Sequence, residues 1–254
     1  MLAAERRHVI TERIQATGQV VVSALSAEFE VSEETIRRDL EWLEKEGICT
    51  RMYGGAVLNG SDHAAPPYAI RKNTNIEHKL LIAQQLAELI QDGDTLMVDE
   101  SSTAAYAVRA LRHLKNITLI TNSLELIREA TALENWHVVS TGGTLKSHVL
   151  AQVGPHALRT VSQYHARYAI FSCRGINAQL GLADSDDEVV QIKQAMIHAC
   201  DHAILLADHR KFDRPGFVAL GDISLADTLI TDCEPSTQWQ ERLANAGVAL
   251  RYTK

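Results

Sequence analysis

No apolar run in these 254 residues is long enough to span a bilayer, and the opening stretch MLAAERRHVI lacks the apolar core of an export signal. A helical membrane protein is thereby excluded, and the expected location is cytoplasmic. The four cysteines, Cys49, Cys173, Cys200 and Cys233, are far apart and form no C-x-x-C pair. Reduced, free thiols are the simplest reading. Positive charge is also short: 25 Lys and Arg stand against 32 Asp and Glu, a net charge of -7. That balance argues against bulk polyanion binding, although a small basic patch can be diluted by an acidic remainder. Internal repeats and low-complexity tracts are absent.

What is present reads as two segments with different periodicity. Hydrophobic content of 46% and charged content of 22% are those of an ordinary globular protein. Up to Leu58 the pattern is helical. Ile10 and Ile14 mark a short helix closed by Gly18, and "VVVSALSAEFEVS" predicts a few extended residues and a second helix capped by Ser23. Ser32 is the expected cap of a third helix, with Glu33 and Glu34 in its first turn and Gly47 as terminator. "ICTRMYGGAVL" follows as a hairpin around Gly54 and Gly55.

Residues 59–75 carry Pro66-Pro67 among small polar residues and read as a linker. Beyond it, "TLMVD", "ITLIT", "WHVVS", "YAIFS", "AILLAD", "TLIT" and "VALRY" are strand candidates, mostly separated by amphipathic stretches. Such alternation predicts a mainly parallel α/β sheet of Rossmann-like type. The expected organisation is a small α+β domain at 1–58, the linker, and an α/β domain at 76–254.

The third helix poses the sharpest question. Its wheel buries Ile36, Leu40 and Leu43, leaving Thr35, Arg37, Arg38 and Glu41 outward. The exposed first half of such a helix is what a helix-turn-helix protein inserts into the major groove, where arginine pairs with guanine or phosphate. The turn at "EVS" and a wing carrying Arg51 complete that geometry. Arg6, Arg7, Arg37, Arg38 and Arg51 are the residues expected to neutralise phosphates. The alternative is a solvated acidic helix with Glu33–Arg37 and Glu34–Arg38 pairs. Up to Leu58, seven basic residues face ten acidic ones, which favours the alternative. Spacing and charge leave the two readings balanced.

In the larger segment, "VDESSTAAYAVRAL" places Ser101, Ser102 and Thr103 between a strand and a helix, which suits either plain N-capping or a phosphate cradle. Thr121, Asn122 and Ser123 end a second strand, and Gly142, Gly143 and Thr144 a third. Ligands of open α/β sheets bind at strand carboxyl ends, so three such ends favour a ligand site. Asp208, Arg210 and Lys211 follow a fourth strand, and Glu188 and Lys193 share a helix. "HACDH" sets His198 and His202 four residues apart; with no further convergent ligand this reads as a polar helix end, with no metal expected. Cys173 reads as a small buried residue at a strand end.

Residues "ERRHVI" to "GGAVL", and "VSEETIRRDL" and "RMYGGA" above all, closely resemble the N-terminal domain of the DeoR family of bacterial transcriptional regulators. The resemblance implies a winged helix-turn-helix at about Val20 to Asp39, with contacts to operator DNA from Thr35, Arg37 and Arg38. Ser32, Arg51 and the Gly54–Gly55 turn complete the DNA-facing set. It extends over the rest of the chain and implies a phosphosugar isomerase-like α/β domain sensing a phosphorylated sugar or sugar acid. The implied ligand residues are Asp99, Ser101, Ser102, Thr103, Thr121, Asn122, Ser123, Gly142, Gly143, Gly175, Glu188, Lys193, Asp208 and Lys211. Two departures stand out: "DESST" replaces the family's commoner Asp-Ser-Gly-Thr-Thr loop, and "SCRGI" puts Cys173 and Arg174 where small glycines are usual. Arg174 is therefore expected to add positive charge to the pocket. The resemblance implies a homo-oligomeric repressor without a cofactor. A phosphosugar-processing enzyme with a DNA-tethering module is the alternative, with Asp99, Glu100 or Glu188 as its general base.

Overall fold

A computed structural model describes residues 2–17, 19–46, 48–52, 54–58, 65–214 and 216–253. The chain divides into two units, Met1–Thr74 and Asn75–Lys254. In the first, the order is α1 (Ala3–Thr17), β1 (Gln19–Val21), α2 (Val22–Phe29), α3 (Glu33–Lys45), β2 (Cys49–Met52), β3 (Gly55–Leu58) and α4 (Tyr68–Asn73). Helix α1 extends well beyond the two isoleucines that signalled it. Gly18 and Gly47, the expected terminators, lie outside the described residues.

Helix α2 starts at Val22, one residue before Ser23, and its N-cap Val21 makes no side-chain capping bond. The Val22 N–H instead donates to the Gly54 carbonyl at 2.8 Å, so a hairpin carbonyl does what a capping side chain would. At the other end Glu30 adopts a left-handed φ of 54°, which turns the chain. Ser26 Oγ donates to the Val31 carbonyl at 2.7 Å and holds that turn. Ser32 then caps α3 as expected, accepting from Thr35 N. Ile36, Leu40 and Leu43 are buried with Ile10, Ile14, Val22 and Leu25 in one cluster.

Strands β2 and β3 form the antiparallel hairpin, and β1 joins the other edge of β3. A Cβ on Gly55 would sit 2.1 Å from the Val20 carbonyl oxygen, so the β1–β3 approach requires glycine there. Part of the stretch read as a linker is structured: α4 buries Tyr68 and Ile70 within the first unit. Residues 59–64 lie outside the described residues.

The second unit opens with α5 (Ile76–Ala87), β4 (Thr95–Val98), α6 (Ser102–Ala110), β5 (Thr118–Thr121), α7 (Leu124–Ala130) and β6 (His137–Ser140). A hairpin of β7 (Thr144–Lys146) and β8 (Ala151–Val153) precedes α8 (Pro155–Val161) and β9 (Ala166–Phe171). Next come β10 (Gly175–Asn177), β11 (Gly181–Asp184), α9 (Asp187–His198), β12 (Cys200–Leu206) and β13 (Val218–Gly221). Strand β14 (Thr228–Thr231), α10 (Thr237–Asn245) and β15 (Ala249–Tyr252) end the unit.

The seven strand candidates read from sequence correspond to one parallel sheet of order β15-β14-β12-β9-β4-β5-β6. From β4 the chain winds outward through β5 and β6, then returns to the other side of β4 with β9 and winds the opposite way. The reversal creates a crevice at the carboxyl ends of β4 and β9, where doubly wound sheets bind ligands. Strands β10, β11 and β13 form a separate antiparallel sheet, and their buried Ile176, Leu182 and Leu220 join Phe171, Leu205, Leu229 and Trp239 in one core. His198 closes α9 whereas His202 lies on β12, with Nε2 2.8 Å from Thr228 Oγ1, so the two histidines do not share a helix. Cys173 is buried just past β9, and burial pushes its thiol up to about 12.

Candidate functional site

The first unit presents α3 with two opposite polar faces. Outward, Arg38 is 75% exposed and pairs with Glu34 at 3.3 Å; Arg37 pairs with Glu33 at 2.8 Å. The i,i+4 pairs of the alternative reading are thus present, on arginines that stay exposed. The pairs are solvated and worth about 0–1 kcal/mol, so a phosphate or guanine can displace the glutamates at small cost. Inward, Asp39 is buried and accepts from Arg6 Nε at 2.5 Å and Arg7 Nε at 2.8 Å. Arg6, expected to neutralise phosphate, is thus a buried structural cation, and the basic surface is smaller than its arginine count.

Arg51 on the hairpin donates through Nε to Glu44 Oε2 at 2.7 Å, and its backbone N–H donates to Glu44 Oε1 at 2.7 Å. Glu44 thereby fixes the wing to the last turn of α3. Ser32 and Thr35 share a 2.9 Å hydroxyl contact at the start of that helix. Gly54, at φ +84°, supplies the turn between the two wing strands. Of the expected DNA-facing residues, Ser32, Thr35, Arg37 and Arg38 lie in the cap and first turns of one helix. Arg51, Gly54 and Gly55 lie on the wing.

In the second unit the carboxyl ends of β4, β5 and β9 carry Asp99, Ser101, Ser102, Thr103, Thr121, Asn122 and Ser123 of the expected ligand residues, and Lys193 reaches them from α9. Asp99 follows β4; its Oδ1 accepts from Ser101 N at 3.0 Å and its Oδ2 from Ser172 N at 2.9 Å. One carboxylate thus ties the ends of both strands across the switch point. Ser101 caps α6 by accepting from Ala104 N, and Ser123 caps α7 by accepting from Leu126 N. Capping uses a lone pair and leaves each hydroxyl proton available as a donor. Thr121 is spent locally, donating to the Val98 carbonyl at 2.6 Å. Between these caps Asn122 is fully buried, and neither side-chain amide atom has a protein partner.

Lys193 reaches the same place from α9. Its Nζ lies 2.7 Å from Asp184, 3.1 Å from Asp99 and 3.5 Å from Glu100, and donates to the Ser172 carbonyl at 2.8 Å. Burial disfavours the ammonium, but three carboxylates outweigh it and raise Lys193 well above its ordinary value. Asp184 is likewise lowered: burial opposes its charge, and Lys193 overcomes that. Lys211 lies near enough to act on Asp184 and Cys173 electrostatically.

Other expected residues stand further out. Glu188 pairs with Lys146 at 2.7 Å, beside Asp186 at 2.6 Å, on the flank formed by the β7–β8 hairpin. Gly143 has a packing reason, since a Cβ would meet the Val153 carbonyl oxygen at 2.4 Å. Gly142 N donates to Ser140 Oγ and Gln152 Oε1. Gly175 begins β10, and Arg174 N donates to the Ala183 carbonyl. Asp208 caps the short 3-10 turn His209–Lys211 and receives Arg210 Nε at 3.2 Å. Sequence reasoning passed over Asp184, Asp186 and Lys146. The acidic run "ADSDDE" was the available signal, but nothing local says that its first aspartate turns inward to a lysine nine residues later.

A winged helix-turn-helix joined to an α/β unit with a polar crevice at its switch point defines a regulator that reads DNA and binds a small ligand. Comparison with known proteins agrees. Residues 6–62 match the model of the DeoR-like helix-turn-helix domain, and residues 74–233 match that of the DeoR C terminal sensor domain. The chain belongs to the DeoR family of transcriptional regulators. It is 38% identical to the uncharacterized HTH-type transcriptional regulator YulB of Bacillus subtilis, over 91% of this chain and 90% of that one. It is 32% identical to the glycerol-3-phosphate regulon repressor of Escherichia coli, over 98% and 99%. Ribose 5-phosphate isomerase A from Methanocaldococcus jannaschii superposes with a TM-score of 0.41 at 18% identity, over 55% of each chain. No helix among the described residues is long and apolar enough to cross a membrane.

Proposed function

We propose that this protein is a cytoplasmic, homo-oligomeric repressor of a carbohydrate catabolic operon, released from its operator by a phosphorylated sugar or sugar acid. The carrying observation is Asn122. A fully buried amide with no partner for either polar atom costs free energy unless a ligand completes its bonds. It sits between two helix N-termini whose caps, Ser101 and Ser123, retain hydroxyl protons, an arrangement suited to a phosphate. Ser102 and Thr103 add hydroxyls in the first turn of α6. The carboxylates around Lys193 suit the opposite need, accepting bonds from sugar hydroxyls. Lys211 supplies cationic charge at the same end of the sheet.

Two further supports come from relatives and from charge. The glycerol-3-phosphate regulon repressor, similar over nearly the whole chain, is by its name a repressor tied to a phosphorylated three-carbon metabolite. Of the carboxylates weighed as a general base, Asp99 is committed to Lys193 and to two backbone N–H groups, and Glu188 is paired with Lys146. A sensor fits this crevice better than a catalyst. Release requires that the ligand prefer the conformation with low operator affinity, since equal affinity for both states shifts nothing.

Operator titration with matched pairs of sugar and sugar phosphate tests the reading. The free sugar forfeits charge-assisted bonds of about 1.5–3 kcal/mol each, so the phosphate should act at least about tenfold more strongly. Equal release by free sugars would overturn the phosphate assignment, and turnover of any sugar phosphate would overturn the sensor assignment.

A further inference from the structure

One strand pair along from the switch point, three metal-ligating side chains from three separate elements converge. His78 stands in the first turn of α5, His209 in the 3-10 turn after β12, and Asp232 directly after β14. Asp232 Oδ2 lies 2.8 Å from His78 Nδ1 and 2.7 Å from His209 Nδ1. The three donor atoms all fall within 4.8 Å of one another. The two imidazoles meet edge to face, with ring centroids 5.0 Å apart. Strands β12 and β14 are parallel neighbours, so their carboxyl ends bring His209 and Asp232 together, and α5 delivers His78 across them.

The aspartate is held as a ligand-type carboxylate should be. Its Oδ1 accepts from the His209 backbone N–H at 2.7 Å and from Thr231 Oγ1 at 3.2 Å, which aims Oδ2 at both rings. A carboxylate held by outer hydrogen bonds is what orients ligands around metals. The two histidine side chains are 36% and 44% exposed, so they can move and a cation can enter.

We propose that His78, His209 and Asp232 form a binding site for a divalent transition cation of the zinc class. Two imidazoles and one carboxylate suit zinc, cobalt or nickel, whereas magnesium and calcium require more oxygen donors. Bonds of about 2.0–2.1 Å at tetrahedral angles separate ligand atoms by about 3.3 Å. Each Nδ1–Oδ2 pair therefore has to open by roughly half an ångström, within reach of exposed imidazoles. Binding replaces the two Nδ1 protons by the metal and releases any that were held there. Three protein ligands leave a fourth position for water or for an oxygen of a bound small molecule. The site rests on these three residues alone and stands apart from the effector reading.

The test uses the full chain after chelation and dialysis. Titration with cobalt(II) chloride should produce the visible absorption of a tetrahedral centre at one ion per chain, abolished by one equivalent of zinc and unaffected by excess magnesium. His78→Ala and His209→Ala, both at exposed positions, should each weaken cobalt binding at least tenfold while circular dichroism stays unchanged. Cys233→Ser, next to Asp232, should leave the signal intact. Cobalt binding that survives both histidine variants would place the metal elsewhere and overturn the proposal. So would failure of the native chain to bind cobalt or zinc, leaving the cluster a histidine pair hydrogen-bonded to a shared aspartate.

Discussion

Arg6 Nε lies 2.5 Å from Asp39 Oδ2, joining α1 to the buried side of the helix that displays Arg38 on its other side. Arg6 and Asp39 side chains are 8% and 2% exposed, so this pair supports α3 from its buried side and is no part of its exposed face. The neighbouring arginines in "RR" at 6–7 and 37–38 thus divide into structural and outward-facing roles.

Asp39→Ala should unfold or loosen the first unit. Removing one partner of a buried pair strands the other and costs about 3–5 kcal/mol. Hydrogen exchange of the amides of α1 and α3 is the readout. Protection equal to the native chain would show that the pair is dispensable.

Arg38→Ala, by contrast, should leave that protection unchanged and weaken operator binding by about 1–3 kcal/mol per half-site. Gel-shift titration against the native operator measures it. Full affinity in the variant would remove Arg38 from the interface.

Operator affinity should fall steeply with salt despite the net charge of -7, because Arg37, Arg38 and Arg51 displace counterions locally. With Arg6 buried, the slope should reflect fewer phosphate contacts than the arginine count of the first unit suggests. A flat log–log plot of affinity against salt would contradict this orientation of α3.

Lys193→Met should be strongly destabilising at neutral pH, by about 3–5 kcal/mol, since three carboxylates lose their shared cation. In the native protein Asp184 is depressed below its ordinary 3.8. Its contribution is therefore present above that value and lost as pH falls through the folded one. The variant should show the opposite trend, gaining stability on acidification as a crowded carboxylate takes up a proton. Denaturant midpoints from about pH 2 to 8 compare the two. Parallel curves would mean that the cluster does not govern this region's charge.

Asn122→Ala should abolish the response of operator binding to the effector without lowering stability, because the buried amide has no protein partner to lose. Lys211→Ala should blunt the same response while basal DNA affinity is retained. An effector response unchanged by both substitutions would move the ligand away from the ends of β4 and β5.

The sequence by itself determined the parts of this protein governed by local rules. Period-3.6 burial of Ile36, Leu40 and Leu43, the Ser32 cap, the Gly54–Gly55 turn and seven apolar strand runs are each readable within a few residues, since hydrogen bonding and side-chain direction repeat over short spans. The motif "VSEETIRRDL" added the family. Tertiary structure decided what depends on partners far away in the chain. Val22 N is capped by Gly54, Arg6 is buried by Asp39, and Lys193 draws Asp99, Asp184 and Glu100 around it. His78, His209 and Asp232 meet only because parallel strands β12 and β14 end side by side beneath α5. Charge and polarity are set by who the neighbours are, and in a doubly wound sheet the neighbours at the switch point are strands far apart in the sequence, here β4 and β9.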